Sequence, residues 1–283
     1  MGPSRSESAL GRGSASRSSL PQREMMSASA YLNTRDIGGI RLPGGLHIAP
    51  GAVFRTAAEE SVLPEVVLDL ARDIEGERLA DGGAGTPRHV HFLDLRSPSE
   101  RNGRSPRTSR DTVRVHRLPL RDPDDRRVPP SDRGPEYFAE QYVRMLPAAG
   151  TVVARVLELV ASDTGPVVVG CRLGKDRTGL VVLVLLSVLG ASDRDNRAEF
   201  GRTGQALARR RDWLDRYAAR RGETPADVLR RCHLPPGVPQ HVLDVLHLRA
   251  AWNPAAPTSW PAIDATVLRR AHDRLTQPRG ERT

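Results

Sequence analysis

Cys171 and Arg177 are separated by five residues in GCRLGKDRTGL. Before them GPVVVG, a short β-branched run bounded by Gly-Pro and Gly, reads as a central parallel strand. After them TGLVVLVLLSVLG reads as a helix apolar enough all round to lie in the core. Cys171 therefore falls at the C-terminal edge of a strand, where open α/β sheets bind ligands. The residues that follow curl into the first turn of a helix, whose N–H groups lack intrahelical partners and suit a phosphate-sized anion. The same positive potential favours a thiolate at Cys171. Arg177 closes this cup with a planar fork able to hold two phosphoryl oxygens at once. The spacing sets a nucleophile below a phosphorus atom and a guanidinium beside it.

Between them is Lys175. The chain has 43 basic side chains, and this is its single lysine. An ammonium is a compact, strongly hydrated point charge and a guanidinium a broad fork, so a lone lysine here marks a position where arginine does not serve. A second cation beside Arg177 attracts a ligand more highly charged than one phosphate, such as two phosphates or a phosphate and a carboxylate.

Other elements must hold that strand and helix. Residues 1–28 are Ser, Arg and Gly with almost no apolar side chains and are expected to be disordered; Met25 and Met26 follow, either of them a candidate start. The rest is long enough for one α/β domain with a helical appendage. SVLPEVVLDLARDI has helical spacing, HVHFLDLRS reads as a buried strand ending at Asp94, Leu95 and Arg96, and VRVHRLPL as another strand. PEYFAEQYVRML and AAGTVVARVLELVASD are both helical. From residue 193 the chain is Arg-rich and helical, with Leu207, Leu214 and Tyr217 on one face of ALARRRDWLDRYAARRG.

The run C-R-L-G-K-D-R-T-G closely resembles the signature loop of the protein tyrosine phosphatase superfamily. Its GKDRTG ending is similar to a bacterial branch of tyrosine and dual-specificity phosphatases, some of which also act on phosphoinositides. NTRDIGG (Asn33 to Gly39), GAVFRTA (Gly51 to Ala57) and FLDLRSPSE (Phe92 to Glu100) resemble further segments of that branch, in the expected order. The resemblance implies a mixed, mostly parallel twisted sheet with helices on both faces and a C-terminal helical region. It divides the domain, residues 29–283, into a catalytic core at 30–190 and a helical region at 191–283. It also implies two-step covalent catalysis. Cys171 attacks phosphorus, and Arg177 and the loop amides from Arg172, Leu173, Gly174 and Lys175 onward hold the equatorial oxygens. Thr178 donates its hydroxyl to the sulfur, and water releases the cysteinyl phosphate. The proton donor is Asp176 in the loop or Asp122 in LPLRDPDD, which resembles a mobile acid loop; Asp124 and Asp125 are weaker candidates. Asp94 and Arg96 pair behind the site, and Arg35 and Asp36 brace the loop.

One position departs from the family. Relatives carry His immediately before the nucleophile, and this chain has Gly170. The change removes a donor and is expected to leave space at the strand end. Either the remaining groups suffice, or the domain binds phosphate without turning it over; the retained Cys171, Asp176, Arg177 and Thr178 favour the first. Ala198-Glu199-Phe200 keeps only the general character of an acidic-aromatic pair found in relatives.

A net charge of +9 draws anions. The arginines are spread along the chain and aromatics are scarce at 4%, so no stacking platform for nucleic acid is visible. Phosphorylated protein, or a small phosphate such as a sugar or nucleoside ester, fits the charge instead. Two cysteines, Cys171 and Cys232, make no disulfide framework and suit a reducing, cytoplasmic compartment. LVVLVLLSVLG is too short to span a membrane. The histidines have no metal-ligand spacing, so no metal and no cofactor is expected.

Overall fold

A computed structural model describes residues 32–58, 65–80, 89–101, 112–120, 135–162, 164–232, 237–250 and 264–278. The N-terminal leader and Asp122, Asp124 and Asp125 lie outside these residues, as do His233, Trp252 and Trp260.

A five-stranded sheet carries the site. Its strands are β1 (Arg35–Asp36), β3 (Val53–Ala57), β4 (Val90–Asp94), β5 (Val113–Arg117) and β6 (Val167–Cys171), in the order β1-β3-β6-β4-β5. β6 is central, as its unbroken apolar run predicts, and all five of its residues are buried. β1 pairs antiparallel with β3, and the other pairs are parallel. Thr56 and Asp94 both pair with Gly170, and Ala57 with Cys171, so three parallel strands end level at one edge. A second, two-stranded sheet joins β2 (Leu46–Ile48) to β7 (Thr276–Pro278) antiparallel.

Side chains alternate across β6, and each face meets its own helices. Val168 faces α1 (Glu65–Ala80), in a cluster with Phe54, Val67 and Phe92. Val167 and Val169 face α2 (Pro135–Ser162) and α3 (Asp176–Val188). The main core continues into α7 (Gly237–Ala250) and α8 (Ala265–Leu275). The layered sheet with helices on both faces is thus as expected.

Two sequence readings need refinement. The two helices read at either side of Pro147 are one helix, α2. Proline removes one helical hydrogen bond. Both halves nevertheless bury their apolar stripe in the same core, Tyr142 and Leu146 before it and Val153, Val156 and Leu157 after it. Among the described helices, α2 alone is long and apolar enough to cross a membrane by length and composition, and 56% of its most apolar window is buried inside the protein. Conversely, the segment read as one helix over ALARRRDWLDRYAARRG is broken. α4 (Asp193–Ala208) stops, and α5 (Arg211–Arg221) starts after a turn. Leu207, Leu214 and Tyr217 still meet in one cluster, with Trp213 and Val228 of α6 (Pro225–Cys232).

Candidate active site

Cys171 ends β6, and Asp176 opens α3, with Lys175 at its N-cap. Between them every carbonyl is anchored. The Ala58 N–H donates to Cys171 O at 2.8 Å and to Arg172 O at 3.2 Å. Asn33 Nδ2 donates to Leu173 O at 2.8 Å, and Arg55 Nη2 to Gly174 O at 2.5 Å. The Gly179 N–H donates to Lys175 O at 2.8 Å. In a trans peptide the C=O and the following N–H point opposite ways. Fixing five carbonyls outward therefore turns the N–H groups of residues 172–176 to the other side, forming an amide nest for an anion. Gly174 permits the tight turn: its φ is +62°, and a Cβ there would lie 2.6 Å from Thr56 O.

Two of those anchors belong to a buried charge cluster. Arg55 is fully buried and donates through Nη1 to Glu199 Oε2 at 2.8 Å. Arg35 grips the same carboxylate with Nε and Nη2, each at 2.9 Å, and donates through Nη1 to Asn33 Oδ1 at 2.8 Å. Thr203 Oγ1 accepts from Arg55 Nη2 at 3.2 Å. One carboxylate from α4 thus orients both loop-holding side chains. Burial lowers the pKa of Arg55 to about 10, partly offset by Glu199, so it stays charged near neutral pH. Asp36, expected to brace the loop, instead accepts from the Gly38 and Gly51 amides at 2.8 and 2.7 Å and ties two turns together.

The other wall holds Arg177. Its Nη1 and Nη2 donate to Glu100 Oε2 and Oε1, each at 2.6 Å, which fixes the guanidinium plane. Burial would push the Glu100 carboxyl up, but the Arg177 bonds and charge outweigh this and hold it at about 2. Glu100 is itself held by the Ser97 amide at 2.8 Å across the short turn Pro98–Glu100. Behind it, Arg96 and Asp94 pair through bonds of 2.8 and 2.9 Å, and Arg96 also donates to the Ala58 carbonyl. The residue clamping the Cys171 and Arg172 carbonyls is therefore clamped in turn.

Asp176 Oδ1 accepts from Tyr142 Oη at 2.6 Å and Lys175 Nζ at 2.8 Å. Burial opposes ionisation, but the Lys175 charge and these bonds prevail and keep the carboxyl below its ordinary range. Lys175 is 6% exposed, whereas the Asp176 side chain is 38% exposed.

Residues 26–252 match the tyrosine phosphatase family. The chain belongs to that family. It is a phosphomonoesterase of the protein tyrosine phosphatase kind, built on the expected α/β fold. No curated protein matches the chain.

Within this phosphatase the site departs from the sequence reading in four ways. Gly170 leaves no space at the strand end: a Cβ there would come within 2.8 Å of Phe92 Cε2 and 3.0 Å of Thr56 Cγ2. The volume that a larger residue would need is filled from the two neighbouring strands. Thr178 Oγ1 is buried and makes no hydrogen bond with the described residues, Cys171 among them, so the expected contact to the sulfur is not formed. Leu173 contributes backbone to the loop but packs its side chain against the Trp213 cluster, and Arg172 lies over the Tyr217 ring at 5.9 Å. Finally, the 30–190 core does not contain all of the site's supports, since Glu199 and Thr203 lie beyond it. Sequence reasoning missed Tyr142 and the roles of Glu199 and Glu100. Glu100, the last residue of a segment shared with relatives, and Glu199, in the acidic-aromatic pair, were both visible, but nothing in the sequence showed which side chains they hold.

Proposed function

We propose that this phosphatase hydrolyses phosphate monoesters through a cysteinyl-phosphate intermediate on Cys171. The observation carrying this reading is the loop that starts at Cys171, whose five carbonyls from Cys171 to Lys175 are each held by a hydrogen bond while Arg177 is oriented by Glu100. In the first step the Cys171 sulfur donates an electron pair to phosphorus, and the phosphorus–oxygen bond to the leaving group breaks. The loop amides and Arg177 bind the three equatorial oxygens as their charge redistributes. Such donors cost no reorganisation during the reaction, because their anchors are already in place. Water then attacks phosphorus, the sulfur leaves, and inorganic phosphate forms.

The leaving oxygen needs a proton. Asp176 is poised as a carboxylate in the unliganded site, which suits it to accept a proton from water in the second step. A bound phosphate dianion places like charge beside it and raises its proton affinity. With substrate bound, Asp176 takes up a proton from solvent and gives it to the leaving oxygen in the first step. Asp122 is the competing donor. Phosphotyrosine is the substrate proposed, with phosphoserine, phosphothreonine or phosphoinositide as further esters.

Turnover of p-nitrophenyl phosphate by wild type and Cys171→Ser tests the reading. Loss of turnover and of trapped phosphoenzyme in the variant is expected; equal rates refute the covalent mechanism. Asp176→Asn and Asp122→Asn assign the acid, since only the true donor's loss slows esters with poor leaving groups more than p-nitrophenyl phosphate.

A further inference from the structure

Helix α4 has a second side. Glu199 and Thr203 face the Arg55 cluster, while Arg194 and Arg197 are exposed. These two arginines and Lys175 border a cavity of about 370 Å³ that Phe200 and Thr203 also line. Among the described residues its lining holds three cations and no carboxylate. Arg197 bonds its own helix backbone, Nε to Asp193 O at 3.3 Å, and Arg194 forms no salt bridge with the described residues. Gly201 keeps the cavity wall low without any packing need: a Cβ there would meet nothing within 4 Å. Like charges gathered around one cavity repel each other unless an anion lies among them.

Lys175 joins this cavity to the catalytic loop. Its ammonium has three donors, and one is committed to Asp176 at 2.8 Å. A side chain 6% exposed that bonds Asp176 and also lines the cavity is placed to serve both.

We propose that this cavity is an anion subsite separate from the Cys171 cup, taking a phosphate or carboxylate between the Arg194 and Arg197 forks and the Lys175 ammonium. The inference extends the phosphatase reading by naming a second recognition element beside the loop. The anion is either a second group on the substrate or a free ligand, and the chemistry is the same. Arginine forks bind such groups through charge-assisted hydrogen bonds.

The test uses the full chain as wild type and as the Arg194→Ser/Arg197→Ser double variant. One arm measures kcat/KM for a sugar bisphosphate and for the matched sugar monophosphate. The other measures malonate binding by calorimetry, which needs no turnover. The wild-type preference for the bisphosphate is expected to be about tenfold or more and to collapse in the variant, since two charge-assisted bonds are lost. A response in the sugar arm puts the second anion on the substrate. A tenfold loss of malonate affinity alone makes it a separate ligand. Equal values for both proteins in both arms overturn the subsite. If wild type hydrolyses neither sugar nor p-nitrophenyl phosphate while malonate binding responds, the catalytic reading falls and the subsite stands.

Discussion

Replacing Glu199 by glutamine tests the charge cluster under the loop. The substitution keeps shape and removes one negative charge. In the native protein that carboxylate is 2% exposed and accepts three side-chain bonds from two guanidiniums, one of them fully buried. Two cations already share one anion, so without it two positive groups, one of them fully buried, face an amide. Removing one partner of a buried ion pair costs about 3–5 kcal/mol. For a domain of this size each kcal/mol lowers Tm by roughly 2–4 °C, so Glu199→Gln should melt roughly 6 to 20 °C below wild type. The loop should suffer as well. Arg55 and Arg35 lose their common reference, and through them the Gly174 and Leu173 carbonyls lose their anchors. Misplacing a reacting group by about 1 Å costs on the order of 100-fold in rate, so kcat/KM for p-nitrophenyl phosphate should fall by up to that factor below the melting range. Adding Arg35→Gln removes the surplus cation and should recover part of the Tm but not the rate, because Asn33 stays unheld. Calorimetry and steady-state kinetics at 25 °C read both effects. A variant melting within about 2 °C of wild type would refute the electrostatic argument. A low Tm with an unchanged kcat/KM would refute the loop-holding one.

Gly170→His should not restore anything, since its Cβ meets the Phe92 ring and Thr56. It is expected to cost about 1–3 kcal/mol by overpacking, with partial relief from Phe92→Ala, and a denaturation midpoint equal to wild type would contradict this. His91 gives a pH prediction. It is 5% exposed, bonds His116 at 3.1 Å and Thr164 at 2.7 Å, and burial with the charges of His116, His89, Arg155 and Arg114 lowers its pKa to about 4. The fold favours the neutral ring, so this stability is whole above about pH 6.5, fades as pH falls towards 4, and then levels off. Between pH 7.5 and 5 the loss is about 2 kcal/mol. Urea titrations of wild type and His91→Gln should differ in pH slope by that amount, and parallel slopes would refute it.

The sequence makes the cup legible because its parts are local. A strand, a turn with Gly174 and a helix follow one another from residue 167 to 188, and chain order alone places Cys171 and Arg177. The anchors are harder to read, since each depends on which strands become neighbours. β3 lies beside β6 across more than a hundred intervening residues, so Arg55 reaches Gly174 only once the sheet order is known. Glu199 sits among Arg-rich helices, where a lone carboxylate reads as surface charge, yet it is 2% exposed. Gly170 misleads in the opposite direction. A missing side chain suggests room, but whether room exists depends on Phe92 in the adjacent strand.

The bond between Arg35 and Glu199 spans 164 positions of the chain. It has a consequence for how the protein comes into being. Domains are made from the N-terminus, and contacts so distant in sequence pay their closure entropy before they gain anything. While the ribosome is still extending α3, Cys171 and Arg177 already exist but nothing holds Arg55 against Gly174. The growing polypeptide therefore carries Cys171 in a loop that lacks its Glu199-held anchors, and the phosphate affinity proposed for that loop is expected to arrive late, when α4 docks. Pulse-labelled chains released at residue 190 should lack the phosphate affinity of chains extended past α4, which makes the docking of α4 the timer of this enzyme's birth.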